Sequence, residues 1–327
     1  MNANNAVSIP PVEPPFFELK VERKATVAKD TYWFELRHPQ GLPLSPFTAG
    51  SHLTVQVPGG TRRNYSLCGD PANTEAYQIA VKRDAFGRGG SISMADDLHQ
   101  GDLLPVSAPR NNFELHPRAT DFLFIAGGIG ITPILSMMRY LKSTGRGRFR
   151  LYYGTRDAAS TAFIDDINSE FPGQVTLHHD NGDMAQALDL WPVFEKPANA
   201  HVYCCGPKGL MDSVADMSGH WPSGSVHFES FGVDAKACAD NKPFTVRLQK
   251  SGATVEVGAE QTILEALRAG GYRVSSSCES GTCGSCKTRL LAGEAEHRDM
   301  VLSEDEQAGQ IMLCVSRAKS AELVLDL

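Results

Sequence analysis

The sequence predicts three domains of different class in series: an antiparallel β-barrel, a parallel-sheet α/β domain and a small α+β unit. Three observations predict this. From Phe17 to about Ala108, short runs alternate apolar and polar residues between turn residues, the pattern of a barrel or sandwich. From Phe122 to Phe231, apolar strands alternate with helical stretches, which implies a parallel sheet. Beyond residue 243, a hairpin and a helix precede a loop rich in cysteine. The expected boundaries are 1–112, 113–232, a linker at 233–242, and 243–327.

Taken in order, residues 1–15 are polar and proline-rich and should lie over the surface. The barrel strands are FELKVERKATVA, TYWFELRH, SHLTVQV, NYSLC, YQIAVKR and DLLPVSAP. FLFIAGG is an apolar strand ending in glycine, followed by the helix ITPILSMMRYLKSTG. FRLYYGTR, QVTLHH, HVYCCGP and SVHFESF are further strands. Helices are expected near Thr161 to Glu170, near Asp183 to Phe194, and over KGLMDSVADMSG. The linker is small and polar. FTVRLQKSG and ATVEV then form a hairpin, TILEALRAGG is a helix closed by glycine, and ELVLDL is the last strand.

Composition narrows the function. The formal charge of −7 argues against nucleic acid as a partner, which needs a basic face. No apolar run reaches the length of a membrane span. The N-terminus lacks the basic and apolar regions of an export signal. Reduced cysteines and no export signal point to the cytoplasm.

The strongest motif is CESGTCGSC. Cys278, Cys283 and Cys286 are spaced C-x4-C-x2-C, and Cys314 follows after 27 intervening residues. That is the plant-type spacing for a [2Fe–2S] cluster. Zinc sites favour paired C-x2-C knuckles, and only one is present. Gly281 and Gly284 let the loop fold tightly enough for amides to face sulfur.

The second motif is AGGIGITP. Gly127, Gly128 and Gly130 end a strand and open a helix at Thr132 and Pro133, a place for a pyrophosphate at a helix N-terminus. It is not G-x-G-x-x-G. Cys205, Gly206 and Pro207 end another strand, and Thr155, Arg156 and Asp157 end a third. Ligands in open α/β sheets bind beyond such ends. Asp157 would favour a ribose diol and Arg156 a 2′-phosphate, so these residues leave NADH and NADPH open.

The third signal is Arg63-Asn64-Tyr65-Ser66 with Gly87 through Ser91, including Gly89 and Gly90. An aromatic flanked by donors can pack on a flat ring, and a glycine turn with arginine can hold a phosphate. The ten histidines show no metal spacing; His178, His179 and His201 read as strand-end surface or packing residues. No Rieske C-x-H pairs and no two-histidine-one-carboxylate triad are found, so an oxygenase site is not expected here.

Together these motifs resemble the ferredoxin-reductase flavoprotein superfamily. Their order, flavin, nucleotide, cluster, resembles the phthalate dioxygenase reductase family over the whole chain after residue 15. The resemblance implies a β-grasp fold for the last domain, and FMN, NADH and a [2Fe–2S] cluster as cofactors. It assigns Arg63, Asn64, Tyr65, Ser66, Ala80, Val81, Lys82, Gly89, Gly90 and Ser91 to FMN. Many relatives carry threonine where Asn64 stands. Phe231 fits an aromatic that family members place beside the flavin; as a residue it reads equally as an interdomain plug. No catalytic base is implied, because the cofactors carry the hydride. Ser66, Cys205 and Glu229 are assistants at most. The implied partner is a Rieske-type oxygenase, with a monomeric reductase. A demethylase or monooxygenase reductase, such as one for vanillate, is the nearest alternative. An iron–sulfur redox sensor is another, but a sensor needs no hydride acceptor.

Overall fold

The computed structural model describes residues 15–87, 89–231, 241–276 and 278–327. Most of the expected linker, the extreme N-terminus, Arg88 and Ser277 lie outside the described residues.

The first sheet contains β1 (Phe17–Ala28), β2 (Thr31–Arg37), β3 (Ser51–Gln56), β4 (Arg62–Ser66) and β5 (Tyr77–Lys82). After helix α1 (Gly90–Asp96) come β6 (Leu103–Val106) and β7 (Arg110–Asn111). The order is β4-β3-β6-β1-β2-β5, with β7 beside β3. An antiparallel bridge between Leu67 and Ile79 joins the two outer strands, and Cys68 N donates to Gln78 O at 2.8 Å. The sheet thus closes at this point. Inward residues of alternating strands fill it: Leu19, Val21, Phe34, Leu53, Val55, Ile79 and Val81. Helix α1 was not foreseen; its sequence, GSISMAD, is short and begins with glycine.

The second sheet is wholly parallel. Its strands are β8 (Asp121–Gly127), β9 (Arg148–Thr155), β10 (Val175–His179), β11 (His201–Cys205) and β12 (Val226–Glu229). Their order is β10-β9-β8-β11-β12, a doubly wound arrangement that switches direction between β8 and β11. Helices α2 (Ile131–Thr144), α3 (Ile164–Glu170), α4 (Trp191–Phe194) and α5 (Lys208–Ser218) connect them.

Helices α2 and α5 differ in a way their sequences explain. Residues 131–138 of α2 are buried without a break, while α5 buries only Met211, Val214 and Ser218. An all-round apolar helix needs two partners. Helix α2 has the sheet on one side and the barrel on the other, because Ala49, Cys68 and Ala80 share one apolar cluster with Ile134, Met137 and Met138. Arg139 strengthens this junction: it donates to Cys68 O at 2.9 Å and pairs with Glu170 at 2.6 Å.

The expected helix from Asp183 to Phe194 is not one helix. A single 3-10 turn at Met184–Gln186 and the short α4 replace it. Asp183 and Asp189 accept hydrogen bonds from the amides of Ala185 and Trp191, both at 2.9 Å. Such local bonds compete with the helical ladder.

The third unit has β13 (Phe244–Leu248), β14 (Thr254–Val257), α6 (Ile263–Ala269), β15 (Lys287–Ala292), β16 (Ala295–Glu296), α7 (Glu304–Gln307), β17 (Gln310–Met312), β18 (Arg317–Ala318) and β19 (Glu322–Leu325). The mixed sheet runs β14-β13-β19-β15-β17, with β16 and β18 paired apart. Helix α6 packs Ile263, Leu264 and Leu267 onto it. A reciprocal Thr262–Glu265 cap fixes the helix start. Among the described residues no helix is long and apolar enough to cross a membrane.

Candidate functional site

The switch point brings together two turns that are distant in sequence. The turn after β8 and the turn after β11 pack directly on each other. A Cβ on Gly130 would lie 2.1 Å from Cys205 O, and one on Gly127 would lie 2.5 Å from the Pro207 ring. A Cβ on Gly206 would come within 3.0 Å of Gly127 Cα. These three glycines are therefore required by loop-on-loop packing. Gly128 is different: its φ is +52° and a Cβ there would meet nothing within 4 Å. It is the one glycine of the turn that leaves backbone open to a ligand. Thr132 is buried, and its hydroxyl donates to Ile129 O at 3.0 Å, closing the turn before α2.

At the end of β9, Thr155 is buried, with its hydroxyl 2.8 Å from Thr161 Oγ1 and 2.9 Å from His179 Nδ1. Asp157 caps the following 3-10 turn: it accepts from Ser160 N at 2.8 Å, and Ser160 Oγ accepts from Asp157 N at 3.1 Å. The hydrogen bonds from Ser160 hold its carboxyl below the usual range. One carboxylate oxygen is thus committed to the fold. Arg156 is exposed, and its carbonyl accepts from Asn181 N.

The barrel meets this edge at β4. Ser66 is buried and its hydroxyl donates to Glu229 Oε2 at 3.2 Å. Glu229 ends β12, in register with Cys205 of β11. Burial pushes the Glu229 carboxyl up to about 8, the Ser66 bond opposes this, and Cys278 adds to it. Burial, and then Glu229, raise the Cys205 thiol well above its ordinary value. The three suggested assistants therefore sit together.

The remaining flavin candidates spread along the same face of the barrel. The Arg63 side chain lies over Gly90, where a Cβ would come 2.8 Å from its Nε. Gly89, at φ +81°, turns the chain into α1. Ser91 Oγ accepts from Asp84 N at 3.1 Å. Tyr65 is half-buried against the barrel core, and its phenol is raised by burial. Asn64 is exposed, accepting from Thr54 Oγ1 at 2.8 Å. Ala80 and Val81 are buried, so their backbone edge rather than their side chains is available; Lys82 is exposed. Phe231 is 47% exposed, which does not suit an apolar plug and leaves a ring face free.

The four cysteines sort into two pairs. Cys278 hydrogen-bonds with Cys283, and Cys286 with Cys314. Those bonds first, aided by Ser280 for Cys278, hold Cys278 and Cys286 below the ordinary thiol value. Ser280 N donates to Cys278 Sγ at 3.4 Å, and Ser285 Oγ lies 3.0 Å from Cys283 Sγ. Gly281 and Gly284 both adopt φ +78°, as the tight loop requires. With C-x4-C-x2-C spacing, each pair would hold one iron of a two-iron cluster.

Sequence reasoning missed His52. It lies opposite Ser66 across β3 and β4 and is 5% exposed. Burial lowers its pKa, Arg110 lowers it further, and Cys278 acts in the opposite sense. The cysteine loop is thus near enough to act on His52 through charge. Alternation along SHLTVQV could place His52 on a face, but no local signal reveals that approach.

Three family models match in the same order: an oxidoreductase FAD-binding domain over residues 18–115, an oxidoreductase NAD-binding domain over 124–216, and a 2Fe-2S iron-sulfur cluster binding domain over 246–319. The phthalate 4,5-dioxygenase reductase subunit of Pseudomonas putida is 60% identical over 314 residues, covering 95% of this chain and 97% of that protein. A vanillate O-demethylase oxidoreductase of a Pseudomonas species is 38% identical, covering 95% of this chain and 99% of that protein. The solved structure of phthalate dioxygenase reductase is 59% identical, covers 95% of this chain and 98% of its own, and superposes with a TM-score of 0.79. With a barrel, a switch-point crevice and two thiol pairs in this order, and with identity sustained over nearly the full length, the chain belongs to the phthalate dioxygenase reductase family.

Proposed function

We propose that this chain is the NADH-dependent reductase component of an aromatic-ring dioxygenase, with phthalate as the partner's substrate. Electrons would pass from NADH through FMN and a [2Fe–2S] cluster to a Rieske-type oxygenase. The observation that carries the reading is the Ser66–Glu229 hydrogen bond, which joins the barrel to the carboxyl end of the parallel sheet. Thr282 of the cluster loop lines a cleft with Asn112 and His227, so the third unit meets the same junction.

When bound, the flavin takes a hydride from the nicotinamide and releases electrons singly; the chain's own residues hold and orient. Gly128 admits the pyrophosphate to the N-terminus of α2. Arg63 and the Gly89–Ser91 turn receive the flavin phosphate, and Tyr65 and Phe231 offer ring faces. Burial pushes the Glu229 carboxyl up to about 8, so near neutral pH the pocket favours an uncharged carboxyl, accepting from Ser66, over a buried charge. Cys278 and Cys283 would hold one iron, Cys286 and Cys314 the other. Asp157, already capping its turn, has one oxygen left for a ribose diol, which supports NADH. The reading includes a monomer working in the cytoplasm, where thiolate ligands stay reduced.

FAD is the second reading, and one observation favours it. Phe86 is 89% exposed on the turn leading to Gly89, where a ring could stack on adenine. The flavin released from the purified protein, identified by mass, decides between them; FMN is expected. Reconstitution with candidate oxygenases tests the partner. NADH oxidation should couple to phthalate consumption, and coupling only to a demethylase would overturn the assignment. The oxygenase would dock around the cluster loop, near Glu279 and Lys287. Each is already paired within its own domain, to Arg268 at 2.8 Å and Glu306 at 3.2 Å.

A further inference from the structure

Met300 belongs to the third unit, yet it packs against the apolar cluster of the second, as Val226 and Phe228 of β12 do. It also lines a cleft of about 250 Å³ between the two units, with His227 and Phe228 on one wall and Thr282 and Val301 on the other. The turn that presents Met300 is held rigidly from within. The Asp299 side chain is fully buried, accepts from Val301 N at 3.1 Å and Leu302 N at 2.9 Å, and accepts from Ser316 Oγ at 3.3 Å. Leu302 is anchored in the core of the third unit.

The same turn holds the cysteine loop. Met300 N donates to Gly281 O at 3.0 Å. A Cβ on Gly281 would come within 3.2 Å of Asp299 Cα. Gly281 lies between Cys278 and Cys283. One residue therefore grips the cluster loop with its backbone and the nucleotide domain with its side chain.

We infer that Met300 is a positioning residue for electron transfer: it seats the cluster domain on β12 and so sets where the cluster loop stands relative to the flavin. The inference rests on the flavin-to-cluster route proposed above. The step it governs moves one electron from reduced flavin to one ferric ion of the oxidised cluster, with no bond made or broken at Met300. A seat lost by a polar substitution leaves both cofactors in place but misaligned, and misplacement on the ångström scale is costly in rate.

The test uses the full-length, cofactor-loaded chain and the variants Met300→Asp and Met300→Leu, mixed anaerobically with NADH. Met300→Asp should slow cluster reduction about tenfold or more, by misplacement alone, while flavin reduction and the cluster's EPR spectrum stay as in wild type. Hydrogen exchange at Val226–Glu229 should rise in this variant. Met300→Leu, which conserves volume, should restore rate and protection together. A wild type that reduces its flavin but never its cluster sinks the functional reading and the inference with it. A wild type that reduces both, with Met300→Asp keeping pace or Met300→Leu equally slow, sinks the seating role alone.

Discussion

At one end of β11 and β12 lie Cys205 and Glu229; at the other lie His201 and His227. Both ends bury titratable groups, and burial leaves both neutral near pH 7. Burial raises Glu229 to about 8 and lowers His227 to about 4, with His201 and His116 adding to the second effect. The surroundings differ. Glu229 faces a serine from another domain and a cysteine from a third. His227 is stacked on Tyr203 at 4.5 Å, its Nε2 is 3.0 Å from His201 Nδ1, and His201 stacks on His116 at 4.2 Å. Arg146 closes that column by donating to His116 O at 2.6 Å. His201, read from the sequence as a strand-end surface or packing residue, stacks between His116 and His227. The carboxyl end of the sheet collects loops and a helix N-terminus, and so collects chemistry; the amino end collects ring stacking.

The comparison breaks most sharply at the glycines. Gly130→Ala should destabilise the nucleotide domain by about 3 kcal/mol or more, because the new methyl meets backbone that cannot retreat. Gly128→Ala, strained only by its positive φ, should cost about 1 kcal/mol. Thermal melts of the two variants rank them, and equal losses would remove the distinction between a packing glycine and a ligand-facing one. Next in size is chemistry: Glu229→Ala should slow flavin reduction by NADH about a hundredfold, the range for lost orientation of the reacting groups. His227→Phe, at the far end of the strands, should leave it within about twofold by the same criterion. Comparable losses from both would mean that the two ends are not functionally distinct.

Stability against pH sharpens the contrast, because the signs are opposite. Glu229 keeps in the native state a proton that the unfolded chain releases near its ordinary value of 4.5. Its stabilising share is complete below that value and lost as pH rises towards 8, at about 1.4 kcal/mol per pH unit at most. Glu229→Gln should flatten denaturation midpoints over that window. His227 behaves inversely. Its share is complete above 6.5 and is lost as pH falls towards 4, amounting to about 1–2 kcal/mol once solvent screening of a partly exposed ring is allowed for. His227→Phe should flatten the acid side only.

The sequence carried the fold where one local pattern decides it. Alternation marked the barrel strands, FLFIAGG and HVYCCGP marked strands of one parallel sheet, and cysteine spacing marked the loop. It did not carry the break within residues 183–194, because Asp183 and Asp189 act through side-chain bonds that periodicity does not register. Nor did it separate Gly128 from Gly127 and Gly130, whose need for a missing Cβ comes from a turn about 75 residues away. Ser66, Cys205 and Glu229 were named singly, and only the tertiary fold joins them. His52 has no motif, and Met300 lies in GEAEHRDMVL, a segment that carries family resemblance without showing that its side chain meets the nucleotide domain.

The most direct test of the electron route is anaerobic mixing of the cofactor-loaded chain with NADH, recording flavin absorbance and cluster EPR on the same samples. Flavin bleaching should come first, at a rate unchanged by Cys286→Ser. The cluster signal should follow in wild type and be missing in that variant. A cluster signal ahead of flavin reduction, or flavin reduction that fails along with the cluster, would contradict the account.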